Sequence, residues 1–414
     1  MGKIIKVSDE IFDKQLKPLP KEVKFCKKCV VSNQRPRIRW DVKEEGVCSA
    51  CDYAFEKDNE IDWDAREKEL QKVCDTHRSK DGSWDVIVPG SGGKDSGMVT
   101  HKLKYKYGMH PLTITWAPFI YTEIGWKNFI ALKDKGFDNI LVHPDGQLHR
   151  KLSLLAFDLH GDAWDPFGYG QEYLAYHLSV KYNIPLIFFG ENGEVEYGGE
   201  DKHKNMVKAP FEDFEEIFYK GSSAQKLVEA GLKRNIFTKE EIQSSSFDFY
   251  KPPRKEDIER VGCVGHWMSY YERWTPQWNY YYAVENCSFE ANDDRSEGTY
   301  QKYGSIDDKL DGFHWWMAYM KFGICRATYD AAHEIRDGHI NRDEAVALVH
   351  KYDGEFPAKY WKNFLEYLDI TDKEFWYVAD KYRSSHIWTP SGAKFSGYSP
   401  EAQYKLWKLN YLVE

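Results

Sequence analysis

The sequence predicts an α/β protein: a doubly wound parallel sheet, with an N-terminal four-cysteine module before it and a mostly helical C-terminal region after it. Three observations carry that expectation. Short apolar runs alternate with segments of helical period between residues 84 and 189, the pattern of parallel strands joined by crossover helices. Two Cys-x2-Cys pairs, Cys26 with Cys29 and Cys48 with Cys51, precede that pattern. Two capping-box signals, Asn341 to Glu344 and Thr371 to Glu374, follow it ahead of apolar-periodic stretches. The corresponding units are residues 1–78, 79–260 and 261–414.

In chain order, residues 1–22 read as a loose arm with a short strand at Lys3 to Val7. Eighteen residues separate the two cysteine pairs, a spacing that fits a four-thiolate zinc site in which each pair forms a knuckle. Four thiolates leave no open ligand position, so the zinc is expected to be structural; iron or a redox pair is the alternative for the same ligands. Trp63 to Thr76 predicts a linker helix with Trp63, Leu70 and Val73 facing inward. Strands are expected at Val86–Val88, Leu112–Trp116, Asn139–Val142 and Pro185–Phe189, with helices from Lys94 and over Glu123–Lys135, Gln147–Leu159 and Gly168–Tyr182. Residues 200–260 read as a helical excursion. The aromatic-rich stretch 265–282 reads as core packing in preference to a stacking surface for a base or sugar.

The chemistry is concentrated where the first strand ends. Pro89-Gly90-Ser91-Gly92-Gly93 allows a tight turn and close approach of backbone amides to a ligand, and the helix start after it adds a positive dipole end. An anion, phosphate above all, suits such a turn. The G-x-x-x-x-G-K-[ST] loop is excluded by Val88 and Asp95, and the G-x-G-x-x-G fingerprint by Asp95 at its third glycine. An acidic side chain beside phosphates requires a hard cation between them, which makes Asp95 a magnesium ligand. Glu191, just after the fourth strand in the segment Gly190–Gly199, is the best second ligand, with an acidic surface loop as the alternative. Lys321 and Arg326 flank Gly323, whose bend would turn both toward one anion; plain surface solvation is the competing reading of Lys321.

Composition narrows the classes. Lys+Arg of 57 against Asp+Glu of 66 gives a net charge of −9, so no overall basic field draws the chain to nucleic acid. No apolar run is long enough to span a bilayer, and Lys6 breaks the myristoylation pattern after Met1-Gly2. A cytoplasmic protein without membrane attachment is expected. Eight cysteines, four of them at metal spacing, suit a reducing compartment.

Ser91-Gly92-Gly93-Lys94-Asp95-Ser96 resembles the loop of the N-type ATP pyrophosphatases, enzymes of an adenine nucleotide alpha-hydrolase-like fold that split ATP between the α and β phosphates. With the four cysteines, Gly190–Gly199, Glu297-Gly-Thr-Tyr300 and Lys321–Thr328 in this order, the chain further resembles the N-acetyl sugar amidotransferase branch, which acts in bacterial surface-glycan, lipopolysaccharide O-antigen and nonulosonic-acid pathways. That resemblance implies adenylation of the acetamido oxygen of a nucleotide-linked, UDP-type N-acetyl sugar, then displacement of AMP by ammonia to give an acetamidino sugar. It implies ATP, Mg2+ and structural Zn2+ as cofactors. Ser91, Gly92, Gly93, Lys94, Asp95, Ser96, Lys321 and Arg326 would hold ATP and pyrophosphate; Asp95, Lys94 and Lys321 would serve catalysis, Asp95 with Glu191 would hold magnesium, and Glu297 and Tyr300 would meet the sugar.

Ammonia needs a source. Position 2 is Gly, which excludes an N-terminal cysteine glutaminase, and Cys263 and Cys325 lack a nucleophile-loop context. The resemblance implies a separate glutaminase with a barrel partner similar to those of histidine biosynthesis. Two rival readings stand beside this one. A tRNA thiolase would use the same adenylation chemistry with Cys74, Cys263, Cys287 or Cys325 as sulfur carrier, and a catalytically silent partner would bind ATP only to regulate assembly.

Overall fold

The computed structural model describes residues 7–200 and 220–414. The strand expected at Lys3–Val7 lies, but for Val7, outside the described residues, as does part of the excursion after residue 200. Five parallel strands form the central sheet: β1 (Val86–Pro89), β2 (Pro111–Trp116), β3 (Asp138–Val142), β4 (Leu186–Phe189) and β5 (Val264–Trp267), in the order β3-β2-β1-β4-β5. Ile87 is opposite Leu112 on one side and Ile187 on the other. Side chains alternate across the sheet with period two. Ile87, Leu112, Ile114, Trp116, Ile187 and Phe189 enter one apolar core, and Val86, Val88, Leu186 and Phe188 enter a second on the opposite face.

Helices cover both faces. In order these are α1 (Ser49–Asn59), α2 (Trp63–His77), α3 (Lys94–Tyr105), α4 (Glu123–Asp134), α5 (Gly146–His160) and α6 (Asp165–Tyr182). α5 and α6 bring Leu152, Leu155, Tyr173 and Leu174 to the first core, while α2 and α3 bring Leu70, Met98 and Leu103 to the second. The sheet continues past residue 260. β5 belongs to the aromatic stretch, where no strand was expected, because it brings only Val264 and Trp267 as apolar side chains to the two cores and its period is masked by the aromatics that follow. Trp267, Tyr271 and Trp274 are buried, whereas Trp278 and Tyr281 are exposed on the helix Pro276–Cys287.

Behind the sheet lies an aromatic helical core in which Phe313, Trp316, Phe364, Phe375 and Trp376 meet. Both capping boxes form, at Asn341 with Glu344 and at Thr371 with Glu374. No described helix is long and apolar enough to cross a membrane.

Candidate active site

In this strand order the chain reverses direction between β1 and β4, and the crevice outside their carboxyl ends is where open α/β sheets bind ligands. The Ser91–Ser96 loop leaves β1 there and Glu191 leaves β4 there. Gly92 takes φ of 88°, and a Cβ on it would stand 2.6 Å from the Phe129 Cα, so only glycine fits between the loop and α4. Gly93 caps α3 without a side-chain hydrogen bond, which leaves the first-turn amides facing outward. Lys94 forms an ion pair with Asp95. The other Asp95 oxygen accepts a hydrogen bond of 2.9 Å from Asn279 Nδ2 on the helix Pro276–Cys287.

Three cavities meet at this loop. One, of about 370 Å³, is lined by Gly90, Ser91, Gly93, Asp95, Ser96, Glu172 and Glu191. A smaller one of about 220 Å³ continues it over β2 to Trp116, Trp164 and Asp307. The third, of about 420 Å³, opens on the other flank and shares Asp95 and Glu191 with the first. It is lined by Lys94, Lys321, Arg326 and His333 and also by Arg35 and Arg37 of the cysteine module.

Carboxylates crowd the junction. Burial, then the neighbouring Asp95 charge, pushes Glu191 up to about 7. Burial, then Glu191, does the same to Glu172 on α6. Glu172 Oε2 has no hydrogen-bond partner among the described residues. Three carboxyls facing one cavity repel one another unless a cation lies among them. This donor set, all oxygen, suits magnesium. Between the ordinary carboxyl value of 4.5 and about 7 the folded chain holds protons on this pair that the unfolded chain has released. Cation-free stability therefore falls as pH rises across that window and levels off above it. Glu172→Gln is expected to flatten the fall, stabilising the protein at pH 8 more than at pH 5; denaturant midpoints against pH without magnesium check this.

The other acidic groups of Gly190–Gly199 have different work. Glu194 accepts hydrogen bonds from Arg37 (Nη2 at 2.5 Å), and Glu196 pairs with Lys57 at 2.7 Å, both carboxylates being buried. Ser49 Oγ donates to the Gly198 carbonyl at 2.6 Å and Arg39 to that of Gly199 at 3.0 Å. This segment is thus the seat of the cysteine module. Inside the module the thiols of Cys26, Cys29, Cys48 and Cys51 lie within 4.8 Å of one another. The Cys26–Cys51 and Cys29–Cys48 sulfur separations are 3.9 and 3.7 Å, against about 3.8 Å for the edge of a tetrahedron with zinc–sulfur bonds of about 2.3 Å. The residues fit a closed four-thiolate zinc site. Arg336 has Nη atoms that are buried without a partner among the described residues; burial works against its charge, but attraction to Cys29, Cys51 and Cys48 outweighs this and holds the guanidinium protonated, as a counter-charge to four thiolates should be.

Lys321 and Arg326 both reach the 420 Å³ cavity, Gly323 ending the helix Asp311–Phe322 between them with φ of 64°. Lys321 is nevertheless held: its Nζ donates to Asp13 Oδ2 at 3.0 Å and to the His160 carbonyl at 3.1 Å, and the side chain is 2% exposed. Arg326 pairs with Asp330 at 3.1 Å. Glu297 and Tyr300 line none of the three cavities. Glu297 accepts from the Lys359 amide at 3.1 Å, and Tyr300 packs beside the cysteine module. Glu172, Asn279, Arg35, Arg37 and His333 went unread in the sequence. Only the arginines left a signal there, as the basic run Arg35-Pro-Arg-Ile-Arg39 between the cysteine pairs.

Residues 297–398 match the family model described as LPS biosynthesis protein WbpG-like, C-terminal domain. Lys321, Arg326 and His333 fall within the match. No curated protein matches the chain. Solved structures similar to it include an NH3-dependent NAD synthetase from Campylobacter jejuni, with 16% identity over 49% of this chain and 92% of that one and a TM-score of 0.25. An NMN synthetase from Francisella tularensis aligns with 9% identity over 55% of this chain and 96% of that one, TM-score 0.24. The assignment of the fold rests on the sheet order and its two cores.

Proposed function

We propose that this chain is an ATP-dependent, AMP-forming amidotransferase acting on a nucleotide-linked N-acetyl sugar in surface-polysaccharide synthesis. The observation that carries the reading is the junction itself: Asp95 and Glu191 are common to the cavity over the Ser91–Ser96 loop and to the larger cavity beside it. ATP in the first would present its α-phosphate to an acceptor in the second. The C-terminal match to a lipopolysaccharide-synthesis family supports a glycan acceptor.

The chemistry follows from the weakness of an amide as an electrophile. The acetamido oxygen attacks the α-phosphorus and the bond to the β-phosphate oxygen breaks, releasing pyrophosphate. Ammonia then adds to the adenylated carbon, the C–O bond to AMP breaks, and an amidinium remains. The loop amides, Ser91 and Ser96 bind the departing pyrophosphate, and Lys94 offsets its charge. Asp95 and Glu191 would hold magnesium, which when bound would offset the charge of the phosphates. Asn279 keeps Asp95 turned toward the cavity. Ammonia would come from a separate glutaminase, so the isolated chain uses ammonium and not glutamine.

Product analysis tests this. Protein with ATP, magnesium, ammonium and UDP-linked N-acetyl sugars should give AMP and pyrophosphate with an oxygen-for-nitrogen exchange in the sugar's mass. AMP with bulk tRNA alone would favour the thiolase; against it, no cysteine lines the larger cavity. ADP with phosphate would overturn the reading of the loop.

A further inference from the structure

The cysteine module does more than brace the sheet. Arg35-Pro36-Arg37 leaves it between the two cysteine pairs and forms part of the wall of the 420 Å³ cavity. The backbone there is strained: Arg37 has φ of 63°, a left-handed conformation that residues with a side chain rarely adopt. Two hydrogen bonds to Glu194, from Nε at 3.2 Å and from Nη2 at 2.5 Å, hold it. Strain that is held in place in this way accompanies functional positioning.

The strained turn presents Arg35. Its side chain is 11% exposed, and its Nη2 forms a long ion pair with Glu194 Oε1 at 3.9 Å, beyond hydrogen-bond reach. Nη1 donates to the Pro36 carbonyl at 3.0 Å, and the guanidinium also donates to the Tyr329 hydroxyl. A guanidinium offers five N–H donors, so these contacts leave donors over on a side chain that lines the cavity. A second observation points the same way. His333, 6% exposed, lines the same cavity with both ring nitrogens lacking a hydrogen-bond partner among the described residues. Leaving a buried donor unmet is costly, and an anion in the cavity would accept from the ring's N–H. Arg336, one turn further along the helix Arg326–Arg336, lies by the cysteines, so the metal site and the cavity share one rigid element.

We propose that Arg35 and His333 form an anion subsite for the diphosphate of the acceptor substrate, with the Arg37–Glu194 pair positioning Arg35, so that the metal module builds one wall of the acceptor site. A planar guanidinium matches phosphate oxygens two at a time, and an imidazole adds a further donor. Arg35 and His333 line the 420 Å³ cavity and not the one over the loop that takes ATP. It rests on the reading of a nucleotide-linked acceptor given above.

UDP is the probe, titrated calorimetrically into full-length, zinc-loaded protein with and without a saturating non-hydrolysable ATP analogue. UDP is expected to bind in both cases. Arg35→Ala should weaken UDP at least 10-fold and leave the affinity for the analogue within 2-fold, with unchanged zinc content and thermal midpoint showing that the module is folded. Arg35→Lys should stay weak, because an ammonium cannot make the paired contact. UDP binding that is absent from the wild type, displaced by the ATP analogue, or equal in Arg35→Ala overturns the subsite. Sugar-dependent AMP formation, scored separately, judges the reaction: UDP binding that depends on Arg35 without any such AMP sinks the amidotransferase and leaves the subsite standing.

Discussion

Asp95→Ala is expected to lower AMP and pyrophosphate formation by on the order of 10³-fold, the scale on which removal of a charge-organising group acts in a water-poor site, while the protein stays folded. Asp95 is the one loop side chain that faces both the 370 Å³ and the 420 Å³ cavity, and it stands beside Glu191 at their junction, where the proposed reading has ATP meet the acceptor. Its side chain is 32% exposed, and its ion pair is with the adjacent Lys94, so little packing is lost with it. Asn279 provides the graded control. It touches Asp95 and lines none of the three cavities, so Asn279→Ala should cost about 10- to 100-fold, as loss of a group that orients a ligand does. Single-turnover AMP formation from labelled ATP at saturating magnesium measures both. Equal rates in Asp95→Ala and wild type would mean that ATP serves assembly alone.

Removing the metal should have the largest effect on stability. Cys48→Ser is expected to abolish stoichiometric zinc and to release residues 22–60 from hydrogen-exchange protection, while β1, β2 and β4 keep theirs. The magnitudes make this follow: a four-thiolate zinc contributes an apparent ~10–16 kcal/mol in isolated modules, comparable with the whole stability of a domain. What remains of the module without it is an apolar cluster whose buried members are small, Val30, Val31, Val47 and Ala50 against Ala331, Ala332 and Ala345, with the larger Phe25, Ile38 and Trp40 only partly buried against it. Loss of the metal also leaves the Arg336 guanidinium buried with its counter-charge gone, which adds to the penalty. Elemental analysis with exchange mass spectrometry reads both outcomes. Retained protection across residues 22–60 in a zinc-free variant would show that the seat on Gly190–Gly199 holds the module unaided.

What the sequence determined by itself is local in the chain. A phosphate loop is six contiguous residues after a β-branched strand, and a cysteine knuckle is fixed by a two-residue spacer; both are written at spacings shorter than one helix. The strands β1 to β4, the helices between them, the capping boxes and the bend at Gly323 were legible for the same reason, since side-chain period and backbone freedom act over a few residues. The tertiary structure decided everything that depends on distant segments meeting. Asn279 reaches Asp95 across 184 residues of sequence. Lys321, read as a phosphate ligand, is held by Asp13 across 308. Glu194 and Glu196 turned from an acidic loop into the seat of the cysteine module because Arg37 and Lys57 fold onto them. Glu172 looks like any helix glutamate until α6 buries it against Glu191. A charge in one dimension carries no record of its partner or of its distance from water, and those two quantities set its protonation and its use.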